Sequence, residues 1–136
     1  MSVRNAMNRR SCLRAMAAVL PAARMAKGAV AAPIQLHCDL YLDAKRETEM
    51  LDNYRKVFRP TISRQPGFVS VTLLKLRKEN QGKAPKGASY RLIISFQTEE
   101  QRLKWVDSPD HQKAWPTVEN TLLGEKFTAL LYDPAV

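Results

Sequence analysis

Polar and apolar residues alternate strictly from Ile34. Ile34, Leu36, Cys38, Leu40 and Leu42 fall on one side, and Gln35, His37, Asp39, Tyr41 and Asp43 on the other. A period of two marks a strand with one apolar face. The period then changes: Met50, Leu51, Tyr54, Val57, Phe58 and Ile62 recur at spacings of one, three and four, the stripe of an amphipathic helix. Asp43 is placed to cap it. Pro60 lacks an amide proton and is expected to kink or shorten the last turn, and Gln65-Pro66-Gly67 closes the helix in a turn. Phe68 to Arg77 reads as a second strand, apolar on both sides, with Val69, Val71 and Leu73 opposed to Phe68, Leu74 and Leu76. Lys78 to Ala88 is poor in apolar residues and reads as an exposed hairpin loop. Ser89 to Thr98 is the third strand, with Ile93 opposed to Leu92, Ile94 and Phe96.

A second helical region is expected from Glu99, with Leu103 and Val106 on its buried side and Trp105 nearby. Ser108-Pro109-Asp110 then reads as a helix restart: Ser as N-cap, Pro in the first position, Asp in the first turn. His111, Ala114, Trp115, Val118 and Leu122 share one face, Pro116 is expected to bend the segment, and Gly124 to cap its end. Glu125 to Tyr132 supplies the last strand. The order strand, helix, strand, strand, helix, strand predicts an α+β domain of ferredoxin-like βαββαβ plan. Its four-stranded antiparallel sheet carries both helices on one face. Apolar residues on the second face require a second cover, and a twin subunit is the economical source, which predicts a homodimer.

Charge divides the chain. Of its 22 basic residues, six lie before residue 34, where there is no Asp or Glu. The remainder holds 16 basic and 13 acidic side chains, a net charge of +3 against +9 for the whole. The basic balance therefore belongs mainly to the leading segment, and interleaved charges in the body speak against a nucleic-acid face. In the leading segment Arg9-Arg10 precede Ser11, Cys12 and Leu13, a weakly apolar stretch follows, and Ala29-Val30-Ala31 offers a cleavage site. This order reads as a twin-arginine-like export signal over residues 1–32, ahead of a domain over 33–136, and predicts a periplasmic or secreted protein. An organellar presequence, or a cytoplasmic protein starting at Met16 or Met25, are the other readings. No run approaches the ~18 apolar residues of a membrane span. After cleavage Cys38 stands alone, so no intrachain disulfide is expected.

Three stretches carry a resemblance. Arg64-Gln65-Pro66-Gly67-Phe68 leads into a strand. Tyr90 to Phe96 (YRLIISF) is followed by Thr98 to Trp105 (TEEQRLKW), and then by Ser108-Pro109-Asp110-His111-Gln112. Together, in this order, they resemble the antibiotic biosynthesis monooxygenase (ABM) superfamily of dimeric α+β barrels, over Ile34 to Leu123. The resemblance implies subunits whose sheets pack into a barrel, with a pocket between helices and sheet. Members of that family include cofactor-independent oxygenases of aromatic polyketides and quinols and haem-degrading oxygenases, and many have no assigned activity. The haem-degrading pattern has a Trp on the second helical region, a His ten residues later as iron ligand, and an Asn on the first strand. Trp105 matches the Trp, but Trp115 stands at the His position and Leu40 at the Asn position. His111 is displaced from the ligand position by about one helical turn. Haem is therefore possible but disfavoured, and no cofactor is expected.

Beside the resemblance, His111 points by its helical face towards the sheet. Its reference pKa near ~6.5 suits a general base on a phenolic substrate, although a His at a core edge bonded to backbone has the same pattern. Trp105, Trp115 and Tyr90 could line a flat pocket for an aromatic ligand, or simply fill the core. Cys38 reads as a small buried hydrophobe with a neutral thiol. His37, Asp39 and Tyr41 fall on the other face of the first strand, near the expected subunit contact. With two His in the chain and one Cys in the body, no metal site is expected. Dinucleotide, P-loop, GxSxG and HExxH motifs are absent, and the central strands do not match RNA-binding aromatic motifs. The expected function is an exported ABM-type monooxygenase using O2 on a small aromatic or quinol-like molecule without a metal. The alternative is a non-catalytic dimeric small-molecule-binding protein of the same fold.

Overall fold

The computed structural model describes residues 32–136. The export signal read from Arg9-Arg10 and Ala29-Val30-Ala31 lies outside them. Strand β1 (Ile34–Leu42) pairs on both sides, with β3 (Tyr90–Phe96) and β4 (Leu122–Tyr132), and β2 (Phe68–Lys75) pairs with β3. The order β2-β3-β1-β4, antiparallel throughout, is that of the ferredoxin-like βαββαβ fold. The helices α1 (Glu47–Asn53), α2 (Arg59–Ser63), α3 (Glu99–Asp107) and α4 (Pro109–Glu119) cover one face. Leu40, Met50, Phe58, Ile62, Leu92, Phe96 and Val118 are each buried to within 2% between the two layers. At about 1.5–3 kcal/mol per buried side chain of this kind, that layer is the principal source of stability.

The local signals act as their chemistry requires. Asp43 accepts from the Lys45 amide at 3.0 Å and starts a 3₁₀ turn, Ala44–Arg46, that leads into α1. Thr98 and Ser108 accept from the amides of Gln101 and His111 and start α3 and α4. Gly67 has φ +82°, and a methyl group there would meet the Gln101 side-chain amide, so the Pro66-Gly67 turn requires glycine on both counts.

Four details differ from the sequence reading. Pro60 does not shorten its helix. The turn before it, Tyr54–Phe58, widens to π geometry, and the chain continues to Ser63 with Pro60 in the opening turn of α2, where a missing amide proton costs little. Leu103 is 47% exposed and Trp105 takes the buried side of α3. Gly124 does not cap α4, which ends at Glu119 with Asn120 as its cap. It sits inside β4 at φ +57°, where the register jumps from Leu40↔Phe127 to Leu42↔Leu122. Phe68 does not share a face with Leu74. A bulge between Phe68 and Ser70 turns it to the helix side, edge-on to Phe96 at 6.1 Å.

The helix-free face is also more mixed than the alternation suggested. Its rows run Thr72–Ile93–His37–Leu130 and Leu74–Arg91–Asp39–Thr128. Leu74, Leu130 and Tyr132 are 47%, 54% and 48% exposed. Between them Arg91 donates to Asp39 at 2.9 Å, and His37 lies 4.9 Å from the Tyr132 ring. The third strand is thus apolar outward only at Ile93. Its Ser95 is buried and donates to the Ile34 carbonyl at 2.9 Å.

Candidate active site

The layer between helices and sheet is not filled everywhere. A cavity of about 210 Å³ has a floor of Leu36, Cys38, Leu92, Ile94, Phe127 and Ala129 from the sheet and a roof of Phe58, Arg102, Trp105, Val106, His111 and Trp115 from the helices. An apolar cavity of about 150 Å³ admits benzene, so this one has room for one ring or two small fused rings. Most of the lining is hydrocarbon or aromatic. The exceptions are a thiol, a guanidinium and an imidazole.

The Trp-to-His segment fixes the polar corner. Ser108 sits between α3 and α4 in extended backbone, as a residue before proline should. Its hydroxyl donates to the Trp105 carbonyl at 2.7 Å and accepts from the His111 amide at 3.1 Å. One side chain therefore closes one helix and opens the next. The result brings the His111 ring 4.9 Å from the Trp105 ring, edge-on at 79°. Trp115 stands one turn further along α4, edge-on to Phe58 at 5.8 Å and to Phe127 at 5.1 Å.

His111 Nδ1 is buried and has no hydrogen-bond partner among the described residues. Most buried polar side-chain atoms are paired. Burial holds the imidazole below its ordinary pKa, outweighing the opposite pull of Glu119 and Asp107. At neutral pH the ring is uncharged, its Nδ1 is left without a partner, and the residue forms part of the wall of a ligand-sized space. Cys38 is 3% exposed, and burial pushes its thiol up to about 11, against the opposing effect of Arg102. It is a neutral wall atom, not a thiolate.

Of the four residues named from sequence, His111, Trp105 and Trp115 meet in this cavity. Tyr90 does not. It lies elsewhere on β3, 5% exposed, its hydroxyl donating to Glu47 at 2.5 Å beside a Lys75–Glu47 ion pair at 2.7 Å. Burial and that carboxylate push the phenol up to about 12. Tyr90 joins the start of α1 to the sheet. Sequence reasoning overlooked Arg102, Phe58 and Phe127 as lining residues. Phe58 was read only as core, and nothing local to Arg102 separates it from the other charges of the TEEQRLKW segment.

Haem does not suit these residues. The position for an iron-binding imidazole holds Trp115, packed between Phe58 and Phe127, and the first-strand position holds Leu40, fully buried. Among the described residues no three His, Cys, Asp or Glu side chains converge to hold a metal ion, and no helix is long and apolar enough to cross a membrane.

Fold and cavity together define a class: a ferredoxin-like domain with an apolar pocket roofed by two tryptophans and a histidine. Solved structures share that fold. A dimeric ferredoxin-like protein of unknown function from Jannaschia sp. CCS1 superposes with TM-score 0.64 at 10% identity, covering 76% of this chain and 100% of its own. A point mutant of SnoaB, a cofactor-independent oxygenase from Streptomyces nogalater, gives 0.62 at 16% identity, over 76% and 94%. A structure named antibiotic biosynthesis monooxygenase gives 0.60 at 10%, over 76% and 99%, and further matches are named putative antibiotic biosynthesis monooxygenases. The ferredoxin-like fold expected from the sequence is thereby found, and structures named antibiotic biosynthesis monooxygenase are among those that share it. No family model and no curated protein matches the sequence.

Proposed function

We propose that the protein is a cofactor-independent oxygenase that converts a small phenol, unsubstituted at its para carbon, with O2, inside a homodimer. The observation that carries this reading is a neutral His111, its buried Nδ1 without a partner, in the wall of an apolar cavity of one- to two-ring size. A phenol loses its proton to such a base far more readily than in an apolar pocket lacking one. The resulting phenolate is electron-rich and can pass electrons to O2, forming a carbon–oxygen bond at the para carbon. The oxygen–oxygen bond then breaks, and the distal oxygen leaves with the hydroxyl proton and the para hydrogen as water. Phenol plus O2 gives quinone plus water, with no other reductant. Trp105 and Trp115 hold the ring by edge and face contacts and keep bulk water out. The fold shared with SnoaB, named as a cofactor-independent oxygenase, supports the same chemistry.

An oxygen electrode tests it. Wild-type protein supplied with one- and two-ring phenols should consume O2 and form quinone one to one. Ligand binding without uptake across that series would leave only a binding protein.

The dimer is supported by Leu74, Leu130 and Tyr132, exposed on the helix-free face, and by the dimeric solved neighbour. Light scattering should give twice the chain mass. A monomer at micromolar concentration would remove the twin subunit from the account.

A further inference from the structure

Among the described residues Arg102 is the one permanent charge in the cavity wall. Its side chain is only 15% exposed. Glu99, one turn back on α3, accepts from its Nε at 2.6 Å and its Nη2 at 2.8 Å. That bidentate pair occupies one edge of the guanidinium and leaves the Nη1 hydrogens without a partner among the described residues. A planar fork held on one edge is pre-oriented on the other. Arg102 and Cys38 both line the cavity, and the guanidinium acts on the thiol from there.

We propose that Arg102 is a specificity-determining residue that reads an ionised oxygen on the ligand through Nη1. The cavity then selects one- or two-ring aromatics carrying an acidic oxygen over neutral rings of the same shape. This rests on the cavity being the oxygenase site and narrows its substrate class. It also divides the labour: His111 takes the proton, and Arg102 holds the charge left behind. The other groups around this charge are the Glu99 carboxylate on the same helix, the neutral Cys38 thiol from β1 and the neutral His111 from α4, with Asp107 and Glu119 acting on His111.

The probe is 4-nitrophenol, whose ionised form absorbs separately, bound to the full chain without turnover. In the wild type its ionisation midpoint should fall by about one pH unit or more from the value in water, a tenfold or larger change. In Arg102→Met the shift should vanish or reverse. Should that variant fail to fold by circular dichroism, Glu99→Gln serves instead: removing the competing carboxylate should lower the midpoint further. A wild-type midpoint unchanged or raised on binding, a shift retained in Arg102→Met, or a midpoint unmoved or raised in Glu99→Gln would overturn the assignment. Failure of the oxygenase reading looks different. The midpoint would shift as expected while no phenol supported O2 uptake. A probe that does not bind at all removes both.

Discussion

Oxygen uptake by the His111→Ala protein should fall by about 10²- to 10⁴-fold, the range that positioned proton transfer contributes. Binding of an unreactive aromatic should change far less, because the ring is held by Trp105, Trp115 and hydrocarbon walls that the substitution leaves in place. The wild-type rate should rise with pH and level off by neutrality, since burial holds the imidazole below its ordinary value and the base is already free at pH 7. Stability follows the same group. The unfolded chain takes up the proton at about pH 6.5, before the folded one does. Unfolding free energy therefore declines as the pH falls below that point and stops declining once the folded ring also protonates. His111→Ala should flatten this slope. Undiminished uptake in the variant would take the base out of the mechanism.

Phe58→Ala should cost about 3–5 kcal/mol in urea unfolding, the range for removing a buried aromatic ring. Phe58 is 1% exposed and meets Tyr54, Trp105 and Trp115, with ring centroids at 6.1, 6.0 and 5.8 Å. It lies in the widened turn before Pro60, so it both joins the helix layer and walls the cavity. The space left by the ring adjoins the ligand site, and the surviving folded protein should accept larger ring systems. Leu103→Ala is the contrasting case. Its side chain is 47% exposed, and the change should stay within about 0.5 kcal/mol. A small effect at Phe58 together with a large one at Leu103 would mean that α3 presents its other side to the sheet.

Much of this architecture is legible in the residues because local signals and long-range packing agree. The alternation of Ile34 to Leu42, the stripe Met50–Tyr54–Phe58–Ile62 and the capping order Ser108-Pro109-Asp110 each point to one conformation, and the fold adopts it. Where the readings part, a backbone irregularity intervenes. The bulge after Phe68 shifts the parity of a strand, and the excursion containing Gly124 and Lys126, both at positive φ, lies within β4 and not at a helix end. Neither has a period to detect. In α3 three of nine residues are apolar and two fall adjacent, so the pattern alone chose Leu103 where bulk and the cavity chose Trp105.

The site was half visible for a similar reason. His111 and Trp115 lie four residues apart on one helix face, which periodicity reveals, and Trp105 lies within reach through the Ser108 junction. Tyr90 shares the inward parity of its strand, but parity does not say where along the strand the cavity opens. It opens at Leu92 and Ile94, while Tyr90 meets Glu47 instead. Arg102 is the converse case. A charged residue on a charged helix is taken for solvent-facing, yet its helix position, three before Trp105, turns it towards the sheet.

Labelled oxygen tests the central claim most directly. Supplied with ¹⁸O₂ and a one- or two-ring phenol, with a chelator present, the wild-type protein should place one ¹⁸O atom in each quinone and the other in water. The His111→Ala protein should place almost none in the same time. Quinone carrying only unlabelled oxygen, or labelled quinone formed equally fast without the protein, would contradict it.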